Sequence, residues 1–483
     1  MDWMQDLEPK AVFGHFAKLC EIPHGSYNID EISDYLYSFA KELKLWCKQD
    51  EYKNVLIRKP ATKGYENVPA ILLQGHMDMV AVKEEDCTLD LAKDGLELDF
   101  KDGYLLAKGT SLGGDDGIAL AYAMAILEAD DIAHPAIEVL FTVNEEVGMD
   151  GAIGVDLSEF TAGRLLNIDS EEEGILLAGC AGGTRVAAAF MEERTEVQGD
   201  VWNISLKGFQ GGHSGADIHK WRGNAICLLG RCLDLLQDKV SMRLISINGG
   251  EKDNAIPRFA QALVCVPEDA EETLRASFAE IEESLRGEFI DREASMKLSL
   301  EKRNCDERML AFSKETTACV SAMLASVFDG VITMSAELEG IVETSLNLGV
   351  VSTDGNTINA VFALRSSKKS AKDYLARRLT HLIKAFGGKV SRSGDYPAWE
   401  YRADSPLRDK MVRIFKEQYD REPVVTVIHA GLECGILLEK KPELDAISFG
   451  PDILDIHTTR ERLDVKSVER TWKYILAVLA DKE

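Results

Sequence analysis

Apolar segments in the first part of the chain end, one after another, in turns that carry histidine or acidic residues. Residues 70–73, 137–143 and 165–168 are almost wholly apolar, as expected for strands buried on both faces of a parallel sheet. The turns that follow or lie between them are His76-Met77-Asp78, the glycine-rich run 109–117 with Asp115 and Asp116, Asn144-Glu145-Glu146, and Asp169-Ser170-Glu171. Because open α/β sheets place their sites at the carboxyl ends of the strands, this order predicts an α/β fold with a functional site at that edge.

The middle of the chain has a different pattern, which predicts a second domain. From about residue 185, segments such as 201–207 alternate polar and apolar residues, as in a sheet with one solvated face. Asp354-Gly355 separates two such segments and indicates a β-hairpin, and a helix is predicted over residues 217–236. Continuous apolar segments return after residue 394. We therefore expect an α/β domain with a mainly parallel sheet flanked by helices, formed by residues 1–184 and 395–483, and an inserted α+β domain, residues 185–394.

The overall charge limits the partners that the chain can bind. The formal net charge is -27, which disfavours nucleic acid and anionic membranes because both attract positive charge. No run of 18 apolar residues occurs, and the first ten residues lack the apolar region of a signal peptide. The ten cysteines include no CxxC pair, as expected for reduced thiols. We expect a cytoplasmic protein with neither a nucleic-acid nor a membrane partner.

The first turn has the spacing of a metal-binding histidine with its supporting carboxylate. His76 and Asp78 are two residues apart at a strand end, so their side chains can point to the same side. A metal-bound imidazole usually gives its other N–H to a carboxylate. Read alone, the motif also fits a structural histidine.

The pair Glu145-Glu146 adds a possible base to such a site. Adjacent carboxylates in one pocket repel each other, and a cation would hold one of them ionised. One could then bind metal while the other takes a proton from an activated water, although a solvated acidic turn is the favoured interpretation when the pair is read alone. Taken together, the strand-end residues form a mixed nitrogen and oxygen ligand set that suits Zn²⁺ and also Mn²⁺ or Co²⁺.

Eight segments, in order along nearly the whole chain, give the sequence a specific resemblance. They are residues 75–80, 109–117, 145–152, 169–174, 212–215, 254–258 and 429–435, and His457. With them the sequence resembles the M20 family of co-catalytic metallopeptidases, and within it the aminoacyl-histidine dipeptidases. The resemblance implies two divalent metal ions, zinc first, with manganese or cobalt as alternatives.

The resemblance also implies a role for each residue at the metal centre. Asp115 would bridge the two ions, His76 and Asp169 would complete one ion, Glu146 and His457 would complete the other, Glu145 would be the general base and then acid, and Asp78 would orient His76. The family places a cis peptide after the bridging residue, here between Asp115 and Asp116. Relatives often carry asparagine at position 116, and the resemblance assigns Asp116 no role.

Further residues are implied to contact the substrate. His213 would polarise the scissile carbonyl, in its own subunit or in a neighbouring one. Asn254 and Arg365 would hold the carbonyl and the C-terminal carboxylate of the substrate, and Gly431 and Glu433 belong to a later motif in which Glu433 would meet the substrate amine. Without the resemblance, the segment of His213 reads as a surface turn, and Arg365 reads as a strand-end charge.

The function implied is hydrolysis of dipeptides, with Xaa-His peptides such as β-alanyl-histidine favoured, by a metal-bridging water that Glu145 activates. Tripeptide cleavage, deacylation of N-acyl amino acids, and a non-catalytic metal- or peptide-binding module are the alternatives. The inserted domain would act as a lid and dimerisation domain, so a small peptide substrate and a homodimer are expected.

Overall fold

The computed structural model describes residues 6–303 and 309–483, which divide into two compact units. Unit 1 runs to Gly179 and continues with Tyr401–Val427 and Leu432–Glu483. Unit 2 comprises Cys180–Glu400 and Ile428–Gly431. The sequence-based borders at 184/185 and 394/395 lie a few residues inside unit 2, and they do not separate the short segment 428–431 from unit 1.

The described residues form eleven α-helices. They are α1 Lys10–Cys20, α2 Asp30–Glu42, α3 Gly114–Glu128, α4 Asp150–Gly154, α5 Ala225–Gln237, α6 Glu271–Phe289, α7 Lys314–Ser326, α8 Lys369–Ala385, α9 Pro406–Tyr419, α10 Glu433–Lys440 and α11 Val465–Ala480. Among the described residues, no helix is both long enough and apolar enough to cross a membrane.

The strands of the described residues occur in both units. They are β1 Trp46–Gln49, β2 Val55–Lys59, β3 Ile71–His76, β4 Leu98–Lys101, β5 Tyr104–Ala107, β6 Ile137–Thr142, β7 Arg164–Asn167, β8 Ile175–Cys180, β9 Gly182–Met191, β10 Thr195–Val197, β11 Asp200–Lys207, β12 Gly212–His213, β13 Arg243–Gly249, β14 Ala255–Ile256, β15 Ala260–Val266, β16 Lys297–Arg303, β17 Met309–Ala311, β18 Gly330–Met334, β19 Val342–Asp354, β20 Thr357–Ser366, β21 Lys389–Tyr396, β22 Val424–Ile428, β23 Asp445–Ser448, β24 Ile453–Leu454 and β25 Arg462–Asp464.

The sheet of unit 1 has the order β1-β2-β6-β3-β7-β23-β8-β22. Its central strands β6, β3, β7 and β23 are parallel, and β1, β2 and β8 pair antiparallel at the flanks. Every residue of β3 and β6 is buried, which explains why most of their residues are apolar. The predicted α/β class is confirmed.

Helix α3 lies in the core of unit 1, packed against β3 and α1. Its residues from Gly114 to Leu127 are all buried. A helix that is apolar on every side belongs in an interior, and its alanines let neighbouring elements approach closely. The start of this buried helix carries Asp115, so the site residue is attached to one of the least exposed elements of the unit.

Unit 2 is built on a separate antiparallel sheet with the order β16-β11-β15-β13-β19-β20-β9-β21, and β18 pairs with β19. The predicted hairpin joins β19 and β20 at Asp354 and Thr357, with Gly355 at φ 51°. Residues of α5, α6, α7 and α8 complete its core. This is the antiparallel α+β domain that the sequence predicts.

The predicted start of the helix over residues 217–236 is wrong. Helix α5 begins at Ala225 because the side chain of Asn224 accepts the N–H groups of Ile226 and Cys227 as an N-cap. Before it, Trp221 has φ 54°, which interrupts a helix.

Candidate active site

Three parallel strands deliver the site residues to one edge of the unit 1 sheet. β3 pairs with β6 and with β7 in a shared register. His76 is the last residue of β3, Glu145 follows the end of β6, and Asp169 follows the end of β7. The edge at which the sequence predicts a functional site therefore gathers these three side chains.

The carboxylate of Asp115 lies between two imidazoles. Its Oδ1 is 3.1 Å from Nε2 of His76, and its Oδ2 is 3.1 Å from Nε2 of His457. His76 is 1% exposed at its side chain and Asp115 is 9% exposed, whereas His457 is 43% exposed. Each oxygen faces a different histidine, which is the arrangement a carboxylate needs to be shared by two cations.

A second carboxylate accompanies each imidazole. Oδ1 of Asp169 is 3.6 Å from Nε2 of His76, and Oε1 of Glu146 is 2.8 Å from Nε2 of His457. Three sets of possible ligand atoms each lie within 4.8 Å of one another: Asp115, Glu146 and His457; His76, Asp116 and Asp169; and His76, Glu145 and Glu146. Two imidazoles among several carboxylates suit Zn²⁺, Mn²⁺ or Co²⁺, so the residues fit a pair of divalent ions.

The crowding of carboxylates is visible in their proton affinities. Burial raises the pKa of Glu145 well above its usual range, and the nearby Asp169, Glu433 and Glu146 add to the shift. Burial likewise raises the pKa of Glu146 and of Asp169. Burial opposes ionisation of Asp115 as well, but its hydrogen bonds with His457 and His76 outweigh burial and lower the pKa of Asp115. A cation is the natural counter-charge for such a cluster.

Asp78 joins the histidine of the site to its possible base. Nδ1 of His76 donates to the backbone carbonyl of Asp78 at 2.9 Å, and the nearest Asp78 carboxylate oxygen is 3.7 Å away, beyond hydrogen-bond distance. The carboxylate accepts the backbone N–H of Glu145 at 3.0 Å and the hydroxyl of Ser26 at 2.8 Å. Because a carbonyl can only accept, Nδ1 of His76 carries a proton, and Nε2 is the ring nitrogen that faces Asp115.

Asp116 forms a hydrogen bond with the backbone at the end of β3. Its Oδ2 accepts the backbone N–H of His76 at 3.1 Å, and its side chain is buried. A Cβ at Gly75 would lie 2.6 Å from that oxygen, so only glycine admits the contact. The peptide between Asp115 and Asp116 is cis, as the resemblance implies.

Glu433 lies inside unit 1 with no exposed surface. Its Oε2 accepts from Nε2 of Gln74 at 2.5 Å and from the hydroxyl of Thr142 at 2.6 Å. Burial raises the pKa of Glu433 to about 7. Glu433, which the resemblance places at the substrate amine, is thus hydrogen-bonded to side chains of strands β3 and β6.

The other predicted substrate residues belong to unit 2. Asn254 and Arg365 line one pocket, together with Tyr396, whose hydroxyl accepts from Nη1 of Arg365 at 2.9 Å. Gly431 lies in the short segment of unit 2. Its neighbour His429 is buried, with Nε2 2.8 Å from the hydroxyl of Ser345.

His213 is held in one tautomer. Its Nδ1 accepts the backbone N–H of Ala216 at 3.1 Å and that of Gly215 at 3.3 Å. Burial lowers the pKa of His213, and the charge of Arg365 lowers it further. The imidazole is therefore neutral with its proton on Nε2, so that it can donate one hydrogen bond.

Three residues that contact the predicted ones carry no motif of their own. Ser26 donates to Asp78, Tyr396 accepts from Arg365, and Glu461 accepts backbone N–H groups from the turn that carries Asp115. The only sequence signal was that Glu461 is an acid four residues after His457. Ser26 and Tyr396 lie far in sequence from their partners.

Comparison with known proteins agrees with this geometry. A model of peptidase family M20/M25/M40 matches residues 72–481. The cytosol non-specific dipeptidase of Escherichia coli (strain K12) is 37% identical over 484 residues, which covers 100% of this chain and 99% of that protein.

Solved structures show the same similarity. The aminoacylhistidine dipeptidase from Vibrio alginolyticus superposes with a TM-score of 0.90 at 36% identity, covering 99% of this chain and 97% of that one. The aminopeptidase PepT from Bacillus cereus has a TM-score of 0.56 at 16% identity, covering 98% of each chain, and shares the fold.

Proposed function

Because the chain belongs to peptidase family M20/M25/M40, we propose that it hydrolyses dipeptides with two divalent cations, and that Xaa-His peptides such as β-alanyl-histidine are favoured substrates. Two relatives that match nearly the whole chain are named dipeptidases, one of them an aminoacylhistidine dipeptidase. The observation that carries the proposal is the Asp115 carboxylate, with each oxygen 3.1 Å from a different imidazole.

Five residues hold the cations in this proposal. Asp115 is shared, His76 and Asp169 bind one ion, and Glu146 and His457 bind the other. Zinc is the first candidate, and manganese or cobalt would suit the same ligands. When bound, the two ions activate a water molecule as the nucleophile and polarise the substrate carbonyl.

Glu145 moves the proton. It takes a proton from the attacking water and then gives it to the leaving amine. Its backbone N–H is fixed by the Asp78 carboxylate, which supports the carboxylate of Glu145 at the sheet edge beside His76. Asp78 also fixes the tautomer of His76 through its carbonyl, so that Nε2 remains a ligand.

Residues of unit 2 bind the substrate in this proposal. His213 donates its Nε2–H to the scissile carbonyl oxygen, a role that its tautomer allows. Arg365 pairs with the C-terminal carboxylate, and Asn254 holds a carbonyl. The resemblance supports the use of unit 2 as a lid and dimerisation domain, with Gly431 beside the substrate.

Hydrolysis of a substrate panel tests the proposal. The protein is stripped with a chelator, reloaded with Zn²⁺, Mn²⁺ or Co²⁺, and assayed on β-alanyl-histidine, other dipeptides, one tripeptide and one acetylated amino acid. Metal-dependent cleavage that favours a C-terminal histidine is expected. Cleavage of the tripeptide or the acetylated amino acid alone would replace the dipeptidase assignment, and metal binding without any cleavage would indicate a binding module.

A further inference from the structure

The turn that carries Asp115 is held by a buried carboxylate from near the end of the chain. Glu461 is 3% exposed. Its Oε2 accepts the backbone N–H of Leu112 at 2.9 Å and that of Gly113 at 3.2 Å. Its Oε1 accepts the N–H of Gly114 at 2.8 Å and that of Asp115 at 3.4 Å. One side chain therefore receives the N–H groups of four successive residues.

These N–H groups belong to the turn that leads into α3, and Asp115 and Asp116 within it have non-helical backbone angles. Gly113 occupies the N-cap position and has no side chain that could accept them. A buried carboxylate is favourable there because several N–H donors compensate for burial of its charge. Glu461 thus takes the place of a local cap.

Glu461 also belongs to the segment that carries His457. Its own N–H donates to the carbonyl of Thr458 at 3.2 Å, and the next residue, Arg462, pairs with Leu106 of β5. The loop of His457 and the turn of Asp115 are therefore connected through one side chain. Nε2 of His457 and Oδ2 of Asp115 are 3.1 Å apart, in the group of possible ligands that also contains Glu146.

We propose that Glu461 is a positioning residue for the cation that Asp115, Glu146 and His457 bind. It contacts no ligand atom of these residues in the hydrogen bonds described above, and it acts by fixing the backbone of Asp115 relative to the loop of His457. The position of His76 and Asp169 depends on β3 and β7, so that site is less sensitive to Glu461. The inference rests on the proposed function only in taking this cluster to bind two cations.

Zinc binding to Glu461→Gln tests the proposal without any substrate. Glutamine keeps the shape of the side chain but turns an NH₂ group toward backbone donors. The matched control is Glu138→Gln. Glu138 is also buried in unit 1 and accepts the N–H groups of Thr161 and Ala162, at 2.9 Å and 2.8 Å.

Equilibrium dialysis of the chelator-stripped, full-length proteins against Zn²⁺ gives both affinities. Wild type and Glu138→Gln should bind two ions alike. In Glu461→Gln, the ion of Asp115, Glu146 and His457 should bind about 10–100-fold more weakly, the usual effect of losing a group that supports a ligand. The other ion shares Asp115 and should be weakened less, because His76 and Asp169 do not depend on Glu461. The zinc concentration for half-maximal dipeptidase activity should rise by the same factor, and excess zinc should restore turnover.

The proposal would be overturned if Glu461→Gln bound both zinc ions as tightly as wild type does. It would also be overturned if the wild-type protein bound fewer than two ions. If Glu461→Gln fails to fold by circular dichroism, Glu461→Asp takes its place under the same criteria. A selective loss of the second ion in a protein that cleaves no peptide would support the positioning role while rejecting the proposed function.

Discussion

The carboxylate of Asp78 accepts the backbone N–H of Glu145 at 3.0 Å. Its second oxygen accepts the hydroxyl of Ser26 at 2.8 Å, and its backbone carbonyl accepts Nδ1–H of His76 at 2.9 Å. One residue thus fixes both the imidazole at the end of β3 and the turn after β6. The proposed ligand and the proposed base depend on the same aspartate.

Asp78→Asn should lower kcat about 10–100-fold at saturating zinc, because an amide cannot accept from both Ser26 and Glu145. Ser26→Ala leaves the contact with Glu145 and should have a smaller effect. Steady-state kinetics on β-alanyl-histidine measure both. Asp156→Asn is the control, since Asp156 caps an exposed turn through Ser158. A kcat for Asp78→Asn within twofold of that of Asp156→Asn would contradict the role of Asp78.

Glu145→Gln should abolish turnover and leave two zinc ions bound, because the amide cannot take the proton while the assigned ligands remain. A loss of about 10²–10⁴-fold is typical when a general base is removed. Elemental analysis and single-turnover assays measure the two quantities. Near-normal turnover in this variant would remove Glu145 from the mechanism, and loss of zinc would reassign it as a ligand.

Arg365→Lys should raise KM about 10-fold or more and lower kcat by a smaller factor. The reason is that lysine cannot form a bidentate pair with the substrate carboxylate. Tyr396→Phe removes only the hydroxyl that accepts from Nη1 of Arg365, and we expect a smaller rise. The comparison uses β-alanyl-histidine and its C-terminal amide. Equal loss on both peptides would show that Arg365 does not bind the substrate carboxylate.

His429 should make the protein sensitive to acid. Burial lowers its pKa to about 3, and the positive charge of Arg365 adds to the shift. Below about pH 6.5 the unfolded chain binds a proton at this residue and the folded chain does not, so stability falls as the pH drops toward 3. The expected contribution is a loss of about 2 kcal/mol between pH 6.5 and pH 5.

Urea unfolding at pH 7 and pH 5, followed by tryptophan fluorescence, measures this loss in wild type and in His429→Gln. The variant loses its hydrogen bond with Ser345, so the informative quantity is the difference between the two pH values. The exposed His381, changed to glutamine, is the control. An unchanged pH difference in His429→Gln would show that another group causes the acid sensitivity.

The edge of the sheet and the side chains gathered there could be predicted because the relevant signals are local. Each strand is followed within a few residues by its own side chain, and parallel pairing then gathers them. His457 was identified only by resemblance, since its partner Asp115 is hundreds of residues away in sequence. Glu461 is likewise hundreds of residues away in sequence from the four N–H groups that it accepts, so no local pattern predicts these contacts.

Two predictions depended on features that patterns do not resolve. Helix α5 begins later than predicted because Asn224 caps it, and the prediction had included the mostly polar residues 217–224 that precede the apolar run. The carboxylate of Asp78 bonds to Ser26 and Glu145, while the nearest contact of His76 is with the backbone. The spacing of the two residues predicts that Asp78 lies near His76. It does not predict whether the carboxylate or the backbone carbonyl of Asp78 contacts the imidazole.

The zinc dependence of dipeptide hydrolysis by the wild-type protein tests most directly whether two cations are needed for activity. Chelator-stripped protein is titrated with Zn²⁺, and β-alanyl-histidine hydrolysis is followed against the number of ions bound per chain. We expect negligible turnover without zinc and a plateau at two ions, because each carboxylate oxygen of Asp115 faces a different histidine. Full turnover without metal, or no hydrolysis of any dipeptide at two bound ions, would contradict this expectation.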